Sequence, residues 1–320
     1  MGAGRAIAAL ACLVLAACAT PQSPNLAWHV VPGSLEPNRG PDGNSVLLDA
    51  PDGLILVDTG RHPEHRDALL AYARSRGRPV AAIVNTHWHL DHSTGNAELR
   101  AQFPEAPLYA SNAIDGALRG FLATSRAQAQ ARLDSGQVPE AHRSEVQRFL
   151  SAMANPESLR PSRPVTASGA QVIAGRRLRV NLARFAATEG DVWIHDPEAG
   201  LVIAGDLVVA AVPFFDTACP QGWRRALDEI AATEFTSLIP GHGDAMTRGQ
   251  FLQWRVAFDN LLDCAASTAE RQACVAGWNR DAAPFLSPHR TMSDELLAYY
   301  VDQRLRAPPE ERDRYCRPQA

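Results

Sequence analysis

The sequence predicts an α/β protein. Two observations carry this: apolar strand-like runs alternate with helically spaced segments in both halves of the chain, and 46% of its 320 residues are hydrophobic, enough for a large buried core. Residues 19–26 read as a tether. The runs "AWHVVP" (27–32), "NSVLLDA" (44–50) and "LILVD" (54–58) read as strands separated by the turn signals "PDGN" and "PDG". "HPEHRDALLAYARSRG" (62–77) has helical spacing and a terminal glycine. "AAIVNTH" (81–87) is a buried strand, "STGNAELRAQF" (93–103) a helix capped by Ser93, and "PLYAS" (107–111) another strand.

Residues 112–160 are mostly helical, with a break near Gly136. Strands resume over 170–175, 178–185, 191–196 and 201–206; a helix around 221–233 and the strand "SLIP" (237–240) follow. From 248 to about 307 the chain is helical, and its tail is rich in Pro and Arg.

Charge and composition exclude several classes. The formal charge is −4 with scattered arginines, which argues against a nucleic-acid partner. All 31 basic residues are arginine, so Schiff-base chemistry and a phosphate-loop lysine are excluded. No G-x-S-x-G elbow supports a serine hydrolase.

The first 18 residues read as a targeting segment. Met1–Arg5 is short and positive, Ala6–Ala17 is apolar but too short to span a bilayer, and "LAAC" (15–18) resembles a bacterial lipobox with Cys18 as the lipidated residue. An ordinary secretory signal is the alternative. Both readings take the protein out of the cytoplasm, and the periplasm is the expected location. Ala19 favours attachment to the outer membrane through lipid on Cys18. Cys219, Cys264, Cys274 and Cys316 remain, and in an oxidising compartment they suggest two disulfides, with Cys264–Cys274 favoured by proximity.

The chemistry concentrates in "NTHWHLDHSTGN" (85–96). His87 and His89 alternate at a strand end, so their imidazoles share one side. Asp91 and His92 follow a turn and approach from another direction. Such a set suits two divalent ions held close together, but each usually takes three protein ligands. Asp206 in "LVIAGDLV" and His242 in "SLIPGHGD" sit at the ends of other apolar runs, the latter between Gly241 and Gly243, which permit a sharp backbone approach.

In order, "LILVDTG" (54–60), "NTHWHLDH" (85–92), "ATEGDVWI" (187–194), "IAGDLV" (203–208) and "IPGHG" (239–243) resemble the motifs of the metallo-β-lactamase fold superfamily. The resemblance implies an αββα four-layer sandwich over residues 27–245, with a helical insertion at about 112–160 and a helical C-terminal extension over 246–320. It implies that His87 and His89 bind one zinc ion, that Asp91, His92 and His242 bind another, that Asp206 bridges them, and that Asp58 orients a ligand. One position departs from the pattern. Where the first ion's third histidine is expected, the chain has Ala187, followed by the retained Thr188, Gly190 and Asp191. His62 and His65, near the site mouth, are candidates to replace it; His195 lies on a strand whose end points away; His29, His142 and His289 have no supporting context.

The expected activity is hydrolysis of a small-molecule ester, thioester, lactone or lactam, with one or two zinc ions and with Asp91 orienting or accepting a proton. A metabolic hydrolase fits as well as a resistance enzyme. The alternative is a degenerate metal-binding protein without turnover, acting as an envelope binding module.

Overall fold

The computed structural model describes residues 27–35, 39–286 and 290–318, with no side chains given for 290–293. The targeting segment, Cys18 and His289 lie outside the described residues.

The first six strands form one sheet in the order β1-β2-β3-β4-β5-β6: β1 (Trp28–Val31), β2 (Ser45–Ala50), β3 (Gly53–Val57), β4 (Val80–Val84), β5 (Leu108–Ala110) and β6 (Arg163–Pro164). The second sheet runs β12-β11-β10-β9-β8-β7, from β7 (Gly169–Ile173), β8 (Arg176–Arg184), β9 (Gly190–Asp196), β10 (Leu201–Val209), β11 (Ser237–His242) and β12 (Met246–Thr247). β3–β4 and β10–β11 are parallel pairs.

Period two explains the layering. In the first sheet Val46, Leu48, Ile55 and Val57 face the second sheet, where Val192, Ile194 and Ile203 meet them. The alternate residues Leu47, Leu54 and Leu56 pack outward on Leu69, Leu70 and Ala73 of α1 (Pro63–Arg76). In the second sheet Trp193, Val202 and Ala204 turn outward toward α7 (Pro220–Ala231) and α8 (Arg248–Ala266), meeting Trp223, Leu227, Trp254 and Phe258. Both faces of each central strand are therefore buried, and the result is the αββα sandwich.

Between β4 and β5 lie α2 (Leu90–Ser93) and α3 (Asn96–Gln102). The 112–160 region forms α4 (Ala113–Arg119), α5 (Phe121–Asp134) and α6 (Glu140–Ala152). Trp88 and Leu90 pack there on Ile114, Ala117 and Leu122. After α8 the chain continues through α9 (Arg271–Asp281), α10 (Arg290–Tyr300), a π-helical turn and α11 (Pro309–Arg312). Disulfides join Cys264 to Cys274, as proximity predicts, and Cys219 to Cys316. Among the described residues no helix is long and apolar enough to cross a membrane.

Three expectations need correction. Ser93 does not cap a helix: it is the last residue of α2, its hydroxyl donates back to the Trp88 and His89 carbonyls just before that helix, and α3 starts at Asn96. β4 ends at Val84, so Asn85–His87 already leave the sheet. Asp206 does not end its strand, because β10 continues to Val209 across an irregularity at Gly205, whose φ is +53°.

Candidate metal centre

The site assembles where parallel strands end, the usual place for ligands in such sheets. Asp58 follows β3, His87 and His89 follow β4, Asp91 and His92 ride on α2, Asp206 sits in the β10 irregularity and His242 ends β11. The six sequence-predicted ligands fall into two groups: Asp91, His92, Asp206 and His242; and His87, His89 and Asp206. Within each group the ligand atoms lie within 4.8 Å of one another, and Asp206 belongs to both.

Hydrogen bonds on the outer nitrogens decide what the imidazoles present inward. The Asp58 carboxylate accepts from the Thr86 amide (2.7 Å), the Thr86 hydroxyl (2.7 Å) and His92 Nδ1 (2.8 Å). His92 is thereby left with Nε2 facing the centre. The Thr86 hydroxyl, already donating to Asp58, accepts from His87 Nδ1 at 3.0 Å and leaves His87 Nε2 facing inward. Thr217 does the same for His89: its hydroxyl donates to the Ala187 carbonyl (3.1 Å) and accepts from His89 Nε2 (2.9 Å), so Nδ1 is the free nitrogen. Outer partners of this kind fix ring orientation and tautomer in metal sites. Asp58 holds its place at a φ of +60°, a conformation that ordinary side chains avoid and that the three hydrogen bonds stabilise.

Three of the inner atoms are left unsatisfied by the others. His87 Nε2 and both Asp206 carboxylate oxygens are buried without a hydrogen-bond partner. His92 Nε2 lies 3.1 Å from Asp206 Oδ1, 3.3 Å from His242 Nε2 and 3.5 Å from Asp91 Oδ2, and His242 Nε2 lies 3.0 Å from Asp91 Oδ2. Buried polar atoms left unpaired are costly, and carboxylates converging with imidazole lone pairs need positive charge between them. His92 records that demand. Burial opposes its protonation, but Asp206, Asp91 and Asp58 outweigh burial and raise its pKa well above the usual value. Burial likewise opposes ionisation of Asp91 and Asp206; His92 and His242 overcome it and hold both carboxyls low. The backbone makes room as well: a Cβ on Gly241 would stand 1.9 Å from Asp206 Oδ1, and one on Gly43 would stand 2.2 Å from His92 Cε1. Donor set and cradle both fit divalent cations.

The other histidines are engaged elsewhere. His62 Nδ1 meets Asp42 at 2.7 Å and its Nε2 meets Glu145 at 3.1 Å; His65 Nε2 pairs with Ser45 at 2.8 Å. Neither joins the ligand groups. His195 Nε2 donates to the Glu234 carbonyl, and His29 stacks on Tyr72. Ala187 is buried in the apolar cluster of the second sheet, and its carbonyl reaches His89 only through Thr217. Thr188 donates through its amide and hydroxyl to Asp191, whose carboxyl burial pushes up to about 7. Thr86, Thr217 and Asn44 escaped sequence reasoning. Asn44 draws β11 to the first sheet through its amide, which donates to the Gly241 carbonyl, and its side chain, which donates to the Pro240 and Gly243 carbonyls.

Comparison with known proteins fits this geometry. The sequence profile of the metallo-beta-lactamase superfamily matches residues 39–271, and the chain belongs to that superfamily. A metallo-beta-lactamase family protein from Thermus thermophilus superposes with a TM-score of 0.58 at 21% identity, covering 88% of this chain and 94% of that one. A linear primary-alkylsulfatase from a Pseudomonas species is 24% identical over 233 residues, 63% of this chain and 41% of its own length. A hydroxyacylglutathione hydrolase from a Synechococcus species is 45% identical over 67 residues, 19% of this chain and 26% of its own. The chain thus spans less than half the length of the curated relatives it matches, and the names of both describe hydrolytic enzymes.

Proposed function

We propose that the protein is a zinc-dependent hydrolase of a small-molecule ester, thioester, lactone or lactam. The observation that carries this reading is the pair of ligand groups sharing Asp206, in which His87 Nε2 and both Asp206 oxygens are buried without a hydrogen-bond partner. Divalent cations there would supply Lewis acidity, making water nucleophilic at neutral pH and polarising the scissile carbonyl. Asp91, His92, Asp206 and His242 would hold one ion, and His87, His89 and Asp206 the other.

The protein's own part is positioning and proton handling. Asp58, Thr86 and Thr217 fix the tautomers of His92, His87 and His89. Asp91 is ionised, and its side chain is 9% exposed against 1% for Asp206. Of the two ligand carboxylates it is therefore the one placed to orient the attacking water and accept its proton. With Ala187 in place of a third histidine, the first ion has one ligand fewer than the second and binds more weakly.

That same shortage favours the second reading, a metal-binding envelope protein without turnover. Metal content measured alongside a screen of ester, thioester, lactone and lactam substrates separates the two. Zinc with turnover supports the hydrolase; zinc without turnover on any class supports the binding module; absence of metal sinks both. For location we propose export to the periplasm and attachment to the outer membrane through lipid on Cys18. The "LAAC" motif supports this, and two disulfides suit an oxidising compartment.

A further inference from the structure

We infer that the part of the substrate seated on the His242 side of the centre is an uncharged acyl or alkyl chain, so that a substituent ending there in a carboxylate, phosphate or sulfate is rejected. This deepens the hydrolase reading and rests on it. A cavity of about 510 Å³ opens beside the ligand groups, and His242 itself forms part of its wall. The volume lies in the range of small-molecule sites. Leu35, Ala210, Met246, Phe285 and Leu286 supply apolar lining.

Charge decides the class. No arginine is among the described residues that line this cavity, in a chain with 31 of them. Composition is not the cause: a cavity of about 650 Å³ beside Asp216 is lined by Arg304, Arg312, Arg314 and Arg317. Among the described lining residues the charged ones are Asp42 and Asp244. Asp42 is ionised, because His62 and the Arg61 and His62 amides outweigh the burial that opposes it. Asp244 is exposed to solvent. An anion at the far end of this cavity would lose water, meet like charge and find no arginine among the described lining residues to pair with. A neutral chain would lose only its hydration and gain contact with Met246, Phe285 and Leu286. Rejection by a repulsive element contributes to specificity as much as attraction does.

The test uses the full zinc-loaded protein and two probes of equal length that differ at one end: octanoyl hydroxamate and suberic acid monohydroxamate. Hydroxamates anchor on zinc, so calorimetry reads binding without turnover. The methyl-ended probe should bind about tenfold or more tighter than the carboxylate-ended one. Ala245, exposed on the cavity wall, provides the second arm: Ala245→Arg should tighten the carboxylate probe and narrow the ratio. Equal binding of the two probes, or a ratio that Ala245→Arg does not move, overturns this inference and leaves the hydrolase reading standing. Failure of both probes to bind zinc-loaded protein overturns the hydrolase reading itself, since the centre would then be closed to ligands.

Discussion

Thr217→Val isolates the role of a residue that has no metal-binding chemistry of its own. Valine keeps the shape of threonine and replaces its hydroxyl with a methyl. Thr217 is 1% exposed, so water cannot take the vacated place. His89 Nε2 would lose its acceptor and the Ala187 carbonyl its donor. A buried donor left unpaired costs about 1–3 kcal/mol, and His89 could escape that cost by rotating or by presenting the wrong nitrogen. Loss of an outer hydrogen-bond partner typically weakens metal affinity about 10–100-fold, equivalent to about 1.4–2.8 kcal/mol. The loss should fall on the ion held by His87, His89 and Asp206 and spare the one held by Asp91, His92 and His242. Zinc titration against a competing chelator resolves the two steps, and the imidazole nitrogen shifts of His89 report its tautomer. Thr217→Ser, which restores the hydroxyl, should recover both signals. Equal weakening of the two ions, or a serine variant as impaired as valine, would refute the reasoning.

Other perturbations bear on separate parts of the structure. Asp206→Ala should release both ions, whereas His87→Ala should spare the tighter one; elemental analysis showing the reverse would overturn the sharing of Asp206. Ala187→His should tighten the first ion at some loss of thermal stability, because the position is 1% exposed; unchanged zinc affinity would show that this side chain does not face His87 and His89. Removing Cys219–Cys316, which spans 97 residues, should cost about 4.7 kcal/mol by loop entropy, and removing Cys264–Cys274, which spans 10, about 2.7 kcal/mol; denaturant titration of the two double-alanine variants checks the order, and zinc content should survive both. Arg176→Leu should cost about 3–5 kcal/mol, because it strands the buried Asp196 that Arg176 binds at 2.6 Å; a smaller loss in the same titration would show that Asp196 finds another partner.

The candidate ligands could be picked out because each lies beside an apolar run whose strand character is plain. Period two then determines which side of the sheet a residue takes, as the split of Val46 and Leu48 from Leu47 shows. Cys264–Cys274 was legible because ten residues separate its partners. The rest depends on contacts between distant segments. Thr217 reaches His89 across 128 residues, and nothing in "FFDTACP" marks it. Asn44 reaches Pro240 across 196. Ser93 reads as a cap by residue type, but the tight turn that aims Asp91 and His92 inward draws its hydroxyl back to the Trp88 and His89 carbonyls. His62 and His65 sit near the mouth in sequence terms, yet Asp42, Glu145 and Ser45 claim their nitrogens, and those partners lie 20, 83 and 20 residues away.

The central claim is that two zinc ions share Asp206. Anomalous diffraction at the zinc edge, from crystals of protein dialysed at low free zinc and again at saturating zinc, tests it most directly. The account predicts a peak among Asp91, His92, Asp206 and His242 under both conditions, and a second among His87, His89 and Asp206 that fills only at saturation. No peak at Asp206, or a first peak that appears on the His87–His89 side alone, would contradict it.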